Sequence, residues 1–251
     1  MPTGLFKGAK LKVERANCHI RDLNNEIVGY IKSNPYRLVV EENTDTGGYN
    51  LTMRVKEKIP CSWPSIIGDV IHNLRSALDL MIFEIVSPHT NNTDKIQFPF
   101  CSGVNGLEDT ITNRQINFAG DKVVNIVRSL KPYPGGNDLL YAIHDLDIMD
   151  KHKGIIVAST IMGIPNFTLI DDNGAVKAGF YNCRVGPVED GRVAMSLPVI
   201  QNLKIGQDFK PTFEVIFHEG LFRRKPVLPS LSEMAEFVNK TIGVFESELS
   251  K

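Results

Sequence analysis

The stretch SWPSIIGDVIHNLRSALDLMIFEIVSP (residues 62–88) decides the fold because it is the clearest helix in the chain. On a helical wheel its residues separate into an apolar arc and a polar arc. Pro64 lies in the first turn, and Pro88 ends the helix. Eight residues form the apolar arc: Ile67, Val70, Ile71, Leu74, Ala77, Leu78, Met81 and Ile85. An arc of this length must be covered by other helices, which predicts a helical core.

Helical patterns recur on both sides of this stretch. A long one near the N-terminus ends at Asn34-Pro35, since a residue before proline disfavours the helical conformation. Others stop at KPYPGG and at Gly154, and an amphipathic helix closes the chain. Because each helix has an apolar stripe that needs a partner, residues 9–33, 62–87, 120–153 and 229–250 are predicted to pack as one bundle.

Two parts of the chain, residues 35–58 and 154–220, are rich in β-forming residues. In the first part, two such runs flank TDTGG, which predicts a β-hairpin. The second part contains five runs, IIVAST, NFTLID, VKAGFYNC, RVAMSLPV and FKPTFEVIFHE, with no helical pattern between them. Short strands in direct succession predict an antiparallel sheet. The fold class is therefore α+β, a helical bundle with a β-hairpin and an antiparallel sheet inserted. Without a flexible linker or a repeat, residues 1–251 are predicted to form a single domain.

Composition excludes several classes of protein. The 28 Lys and Arg nearly cancel the 29 Asp and Glu, so the chain lacks the strong basic signature of a nucleic-acid-binding protein. No apolar run has the length of a membrane span, and the N-terminus has no signal-peptide pattern. Cys18, Cys61, Cys101 and Cys183 are dispersed, as is typical of a reducing compartment. We therefore predict a cytoplasmic protein without a membrane partner; its other partners, and whether it forms a homo-oligomer, stay open.

The segment LLYAIHDLDIMDKHK (residues 139–153) has apolar residues on every side and yet many ionisable ones. His144, Asp147 and Lys151 share one stripe of the predicted helix, and Asp145 and His152 share another. A helix that is apolar nearly all round is expected to be buried. Its ionisable groups must then be paired with each other, bound to a ligand or shifted in pKa.

The polar arc of the 62–88 helix has two interpretations. It consists of Asp69, His72, Asn73, Arg75, Ser76 and Asp79. It is either a solvated face with local pairs, such as Arg75 with Asp79, or part of a catalytic site. In the catalytic interpretation, His72 and Asp79 form an acid/base pair beside an anion-binding Arg75, which suits phosphodiester chemistry. The candidate catalytic residues of such a hydrolase of nucleic acid or nucleotides are His72, Arg75, Asp79, His144 and His152. An enzyme of this kind should bring His72 and His144 within hydrogen-bonding reach across an open cleft.

A metal site is a further alternative. Asp69-x-x-His72 and His144-x-x-Asp147 each place a carboxylate and an imidazole one helical turn apart. On facing helices these four residues could bind a divalent metal ion. The sequences G-x-G-x-x-G, G-x-x-x-x-G-K-[ST] and G-x-S-x-G do not occur, which disfavours dinucleotide binding, P-loop chemistry and the α/β-hydrolase fold.

Four successive motifs, IIGDVIHNLRSALDLMIFEI, QFPF, LKPY and LLYAIHDLDIMDKHK, resemble the signatures of a large, uncharacterised family of bacterial proteins. Members of that family carry a GD-x-x-HNLRSALD helix, an FP element and a D-K-H-[KR] segment in this order. The resemblance covers most of the chain and implies no activity. It singles out Gly68, Asp69, His72, Asn73, Arg75, Asp79, Asp150, Lys151 and His152. The sequence thus favours a structural, ligand-binding or interaction protein with a polar His/Asp/Arg cluster between helices, with a hydrolase as the alternative.

Overall fold

A computed structural model describes residues 4–153, 158–164, 166–186, 188–197, 199, 204–205 and 212–250. The helices in these ranges are α1 (Lys7–Lys32), α2 (Ser62–Val86), α3 (Leu107–Asn113), α4 (Asp121–Leu130), α5 (Asp138–Lys153) and α6 (Val227–Leu249). The strands are β1 (Tyr36–Asn43), β2 (Gly48–Val55), β3 (Ala158–Ile164), β4 (Phe167–Ile170), β5 (Val176–Phe180), β6 (Cys183–Val185), β7 (Val193–Leu197), β8 (Lys204–Ile205) and β9 (Thr212–Phe217). The predicted α+β class is confirmed.

The described residues divide into two compact units. The first lies within Met1–Asn24, Cys61–Val157 and Phe217–Lys251, and the second within Asn25–Pro60 and Ala158–Ile216. Helices α2 to α6 and α1 up to Asn24 belong to the first unit. The rest of α1 and the strands, apart from the end of β9, belong to the second. The prediction of a single domain stays a prediction.

In the first unit, α2 is the central helix and packs against α5 and α6, which also pack against each other. All eight residues of its predicted apolar arc are buried. The first half of α1 joins α6 through an ion pair between Lys10 Nζ and Glu246 Oε1, 2.6 Å apart. Helices α2, α5 and α6 and the first part of α1, up to Asn24, therefore lie in this unit, whereas the rest of α1 belongs to the second unit.

Two details of the helical faces differ from the sequence-based expectation. Asn73 and Arg75 belong to the polar arc of α2 but are buried, with 9% and 8% of their surface exposed. Conversely, α5 is not buried all round, because Ile148 is 43% exposed. Packing against α2 and α6 covers only part of the circumference of α5. The prediction that α5 is buried on every side was therefore too strong.

The strands of the second unit are divided among three small sheets in the described residues, with strand orders β1-β2-β7, β6-β3-β9 and β5-β4-β8. The predicted hairpin is present, with Tyr36 paired to Val55 and Asn43 to Gly48. The run VKAGFYNC contains β5 and ends at the first residue of β6, and these two strands belong to different sheets. Of the predicted strand IIVAST, residues 155–157 lie outside the described residues, and β3 begins at Ala158. One sheet was expected for residues 154–220, but β7 pairs instead with the distant β2.

Within the described ranges, none of the helices combines the length and the apolar character needed to cross a membrane.

Candidate functional site

Two groups of interacting side chains, both in the first unit, lie where α2 faces α5. We call the first the arginine cluster; it comprises Arg75, Asp79, Phe98, Phe100, Tyr141 and His144. We call the second the aspartate cluster; it comprises Gly68, His72, Ser76, Asp147, Asp150 and Lys151.

The arginine cluster fastens the segment that follows α2 back onto this helix. Arg75 Nη1 donates a hydrogen bond to Asp79 Oδ1 one turn further along α2. The same carboxylate oxygen accepts a hydrogen bond from the backbone N–H of Phe98 at 2.7 Å. Because Arg75 is buried, losing the carboxylate would leave a buried charge without its partner. The Arg75–Asp79 pair therefore fixes the start of the Phe98–Phe100 segment.

Phe100 connects Arg75 on α2 with His144 on α5. The guanidinium carbon of Arg75 lies 4.7 Å from the centre of the Phe100 ring, a cation–π contact. The imidazole of His144 stacks on Phe100 with 4.7 Å between ring centres and 2° between the planes. Tyr141 meets His144 edge-on at 5.5 Å. In this way a single aromatic ring joins two helices that are more than 50 residues apart in sequence.

His144 is held in an environment that disfavours its charged form. Its Nδ1 atom is buried and has no hydrogen-bond partner among the residues that the structure describes. Burial, followed by the positive charge of Arg75, lowers the pKa of His144 from 6.5 to about 4, against the opposing effect of Asp147, Asp145 and Asp79. The imidazole is therefore neutral at physiological pH, and its Nδ1 is not available to bulk solvent.

The aspartate cluster centres on Asp147, whose side chain is only 5% exposed. Its Oδ1 lies 3.2 Å from Nδ1 of His72 on α2, and its Oδ2 accepts a hydrogen bond from Lys151 Nζ at 2.5 Å. Since an ionised carboxylate only accepts hydrogen bonds, Nδ1 of His72 carries the proton. A buried carboxylate with both oxygens occupied thus holds the imidazole of His72, which is itself 51% exposed.

Ser76 extends this arrangement at the other nitrogen of His72. Its hydroxyl oxygen lies 3.5 Å from His72 Nε2. In a neutral imidazole whose proton is on Nδ1, Nε2 is an acceptor, so the Ser76 hydroxyl donates to it. Asp147, His72 and Ser76 therefore form one hydrogen-bonded series, with the buried residue at one end.

Asp150 lies directly against Gly68. A Cβ atom at position 68 would be 2.7 Å from Asp150 Oδ2 and 2.9 Å from its Cγ, closer than non-bonded atoms approach. Glycine at position 68 thus leaves room for the Asp150 carboxylate, which would have to move if a side chain were present. Burial, followed by the negative charges of Asp147 and Asp69, raises the pKa of Asp150, while His72 and Lys151 oppose the shift.

The structure separates the residues that the sequence grouped together. His72 pairs with Asp147, whereas His144 stacks on Phe100, and no hydrogen bond joins the two imidazoles in the part of the chain that the structure describes. The predicted hydrolase that uses both histidines therefore does not have the geometry expected of it, and a hydrolase at this site would have to use His72 without His144. Asp79 pairs with Arg75 rather than with His72. His152 is exposed at the end of α5.

The predicted metal set does not assemble as a metal-binding group. Asp69 is exposed, and Asn73 donates to its backbone oxygen at 2.7 Å. Across the described ranges, no three His, Cys, Asp or Glu side chains are arranged to hold a metal ion. Asp69, His72, His144 and Asp147 are instead distributed over the two clusters and the surface.

Sequence reasoning missed three contacts of the site. It did not identify Asp147 as the hydrogen-bond partner of His72. It also missed Phe100, which contacts both Arg75 and His144, and the contact between Gly68 and the Asp150 carboxylate. The sequence contained a signal for the last contact, because Gly68 lies in the GD motif and Asp150 in the DKH motif of the same family resemblance. Comparison of the chain with protein-family models, with curated proteins and with solved structures found no match in any of the three. Function must therefore be argued from the site.

Proposed function

We propose that this protein is a hydrolase in which His72 acts as the general base. One observation carries the proposal: an imidazole that is half exposed to solvent has its Nδ1 held by the buried carboxylate of Asp147. A carboxylate in this position keeps the imidazole in one tautomer and stabilises the imidazolium that forms when Nε2 takes up a proton.

The aspartate cluster supplies the reacting groups in this proposal, and the arginine cluster supports them. Asp147, rather than Asp79, orients His72, because Asp79 is occupied by Arg75 and by the backbone of Phe98. Arg75, Asp79 and His144 are positioning residues, since they connect α2, the Phe98–Phe100 segment and α5. We therefore propose that Arg75 holds neighbouring segments in position and does not bind an anion.

Turnover of chromogenic esters tests the proposal and its substrate class. p-Nitrophenyl acetate represents carboxylic esters, and bis(p-nitrophenyl) phosphate represents the phosphodiesters expected of a nucleic-acid or nucleotide hydrolase. General acid–base catalysis contributes about 10²–10⁴-fold, so His72→Gln should lower kcat by about 100-fold or more. His89→Gln, which alters an exposed histidine of the same unit outside both clusters, should leave turnover unchanged. The proposal fails if the parent protein turns over neither ester, or if His72→Gln is as active as His89→Gln.

A second candidate is a ligand-binding or interaction protein without catalysis. It is favoured by the contacts of Arg75, because its guanidinium already pairs with Asp79 and lies over Phe100. Arg75 is therefore not free to bind an anionic substrate. His72 would then be a ligand contact rather than a base. NMR spectra of the histidine rings, recorded during titration with inorganic phosphate, test this function. Saturable shifts of the His72 signals without ester turnover support it, and shifts no larger than those of His89 exclude it for this ligand.

A further inference from the structure

We propose that Ser76 is a nucleophile activated by His72 and Asp147, so that ester hydrolysis passes through a covalent intermediate on the Ser76 hydroxyl. The inference rests on the proposed hydrolase function and adds to it a residue, an intermediate and a substrate class.

Geometry supports the assignment. Ser76 Oγ lies 3.5 Å from His72 Nε2, and His72 Nδ1 lies 3.2 Å from Asp147 Oδ1. A nucleophile next to a base that is oriented by a third group is the signature of nucleophilic catalysis, and the first distance is often long when no substrate is bound. Such a constellation is recognised by its geometry and not by the order of its residues in the chain.

The environment of Ser76 also fits a nucleophile. Residues four apart in a helix lie one above the other, which places the Ser76 hydroxyl beside the ring of His72. A helical serine often bonds instead to the backbone carbonyl four residues before it. Here the hydroxyl contacts the imidazole. Ser76 is partly exposed and His72 is 51% exposed, so a substrate can reach both side chains.

The chemical step is balanced by the residues present and water. As Ser76 Oγ attacks the carbonyl carbon of an ester, its proton passes to His72 Nε2, while Asp147 stays ionised and stabilises the imidazolium. Collapse of the tetrahedral intermediate breaks the bond to the alcohol, which leaves with the proton from His72. Water then attacks the acyl group on Ser76 and gives a proton to His72. The carboxylic acid departs, and Ser76 Oγ recovers that proton.

The position of Ser76 within α2 restricts the substrate class. The backbone N–H groups around Ser76 are engaged in the hydrogen bonds of a helix and cannot form an oxyanion hole. Loss of even one oxyanion donor costs about 10²–10³-fold in kcat in a serine hydrolase. The substrate should therefore be an ester with a weakly basic leaving group, such as an aryl ester, because its tetrahedral intermediate collapses readily.

A fluorophosphonate probe tests the nucleophile directly. The Ser76 oxygen displaces fluoride from phosphorus and leaves a stable adduct, which peptide mass spectrometry assigns to a residue. The parent protein should be labelled at Ser76. Ser76→Ala should abolish the adduct and His72→Gln should slow labelling about 100-fold or more. Ser65→Ala removes an exposed serine of the same helix and should label like the parent protein.

Parallel assays with p-nitrophenyl acetate and bis(p-nitrophenyl) phosphate separate this inference from the proposed function, and turnover is absent only when neither ester is hydrolysed. If the parent protein and Ser76→Ala turn over the same ester equally and Ser76 carries no adduct, the inference is overturned, while the hydrolase function stands with water as the nucleophile. Labelling of Ser76 without turnover supports the nucleophile and overturns the hydrolase. Labelling that persists in Ser76→Ala overturns the inference, and the absence of both labelling and turnover overturns both proposals.

Discussion

Asp147 and His72 touch each other, yet they should contribute very differently to stability. Asp147 is buried and accepts hydrogen bonds from two partners, whereas His72 is 51% exposed. Asp147→Ala removes two hydrogen bonds to a buried carboxylate and should lower the free energy of unfolding by about 1–3 kcal/mol. His72→Ala should change it by less than about 1 kcal/mol, because water can enter the space left by the half-exposed imidazole and replace the hydrogen bond to Asp147 Oδ1.

Urea denaturation of the single variants measures both effects. Asp69→Ala is the matched control for Asp147→Ala, because it removes an exposed carboxylate of α2 and should stay within about 0.5 kcal/mol of the parent protein. If His72→Ala destabilised the protein as much as Asp147→Ala, His72 would have a structural role and its assignment as a base would lose its support.

His144 should make the protein sensitive to acid. Folding lowers the pKa of this imidazole from 6.5 to about 4, so between these pH values the unfolded chain binds a proton that the folded chain does not. The contribution of His144 to stability is therefore complete above about pH 6.5 and is lost as the pH falls towards 4, by about 3 kcal/mol at most. Replacing the imidazole with a ring that cannot be protonated, as in His144→Phe, should remove this part of the pH dependence.

Unfolding free energies at pH 7.5, 5.5 and 4 test the acid sensitivity. As the pH falls, the unfolding free energy of the parent protein should decrease more than that of His144→Phe. His89→Gln alters an exposed histidine and should keep the parent's pH dependence. Parallel curves for the parent protein and His144→Phe would show that His144 is not buried in its neutral form.

At the scale of elements, Gly68 on α2 leaves room for the carboxylate of Asp150 on α5. In Gly68→Ala the new Cβ would overlap the carboxylate of Asp150, and overpacking of this kind costs about 1–3 kcal/mol. That cost exceeds the gain of about 1 kcal/mol from the higher helix propensity of alanine, so the variant should be less stable than the parent protein.

A double-mutant cycle measures this contact. With Asp150→Ala already present, Gly68→Ala should instead stabilise the protein by about 1 kcal/mol, because only the propensity gain remains. Gly243→Ala in α6 is the control, since no described atom lies within 4 Å of its added Cβ. It should be stabilising in both backgrounds. Equal effects of Gly68→Ala with and without the Asp150 side chain would contradict the contact between position 68 and Asp150.

The helices could be predicted from the sequence because their signals are local. Residues 62–87 and 229–250 were predicted as helical, and α2 and α6 span Ser62–Val86 and Val227–Leu249. The division of the strands among three sheets could not be predicted, since β2 pairs with β7 about 140 residues later. Alternation of polar and apolar residues identifies a strand but does not identify its partner.

The same distinction holds within the site. The pair Arg75–Asp79 follows from a spacing of four residues on one helix and was among the predicted alternatives. The pair His72–Asp147 joins two helices and depends on their relative rotation and translation, which the pattern of neither helix specifies. The neutral state of His144 depends likewise on Phe100 and Arg75, which come from other parts of the chain.

At the scale of the whole molecule, the core of the first unit is assembled from chain segments that are far apart in sequence. The start of α1 and the end of α6 meet there: Lys10 Nζ lies 2.6 Å from Glu246 Oε1, and a Cβ at Gly4 would lie 3.7 Å from the same oxygen. By contrast, residues 91–95 form an exposed stretch after α2. The start of α1 and the end of α6 are therefore close enough to be joined by a linker, and residues 91–95 provide an exposed place to open the chain.

A circular permutant should therefore fold. We expect a chain whose termini are joined by about eight Gly and Ser residues, and which is opened between Asn92 and Thr93, to keep the helical circular dichroism of the parent protein. Its melting temperature should fall by less than about 10 °C, since a loss of 1 kcal/mol lowers that of a chain of this size by about 2–4 °C. The control has the same linker but is opened between Leu74 and Arg75, within the buried helix α2, and should not fold. Equal behaviour of the two permutants would show that α2 does not organise the core, or that the ends of α1 and α6 do not meet.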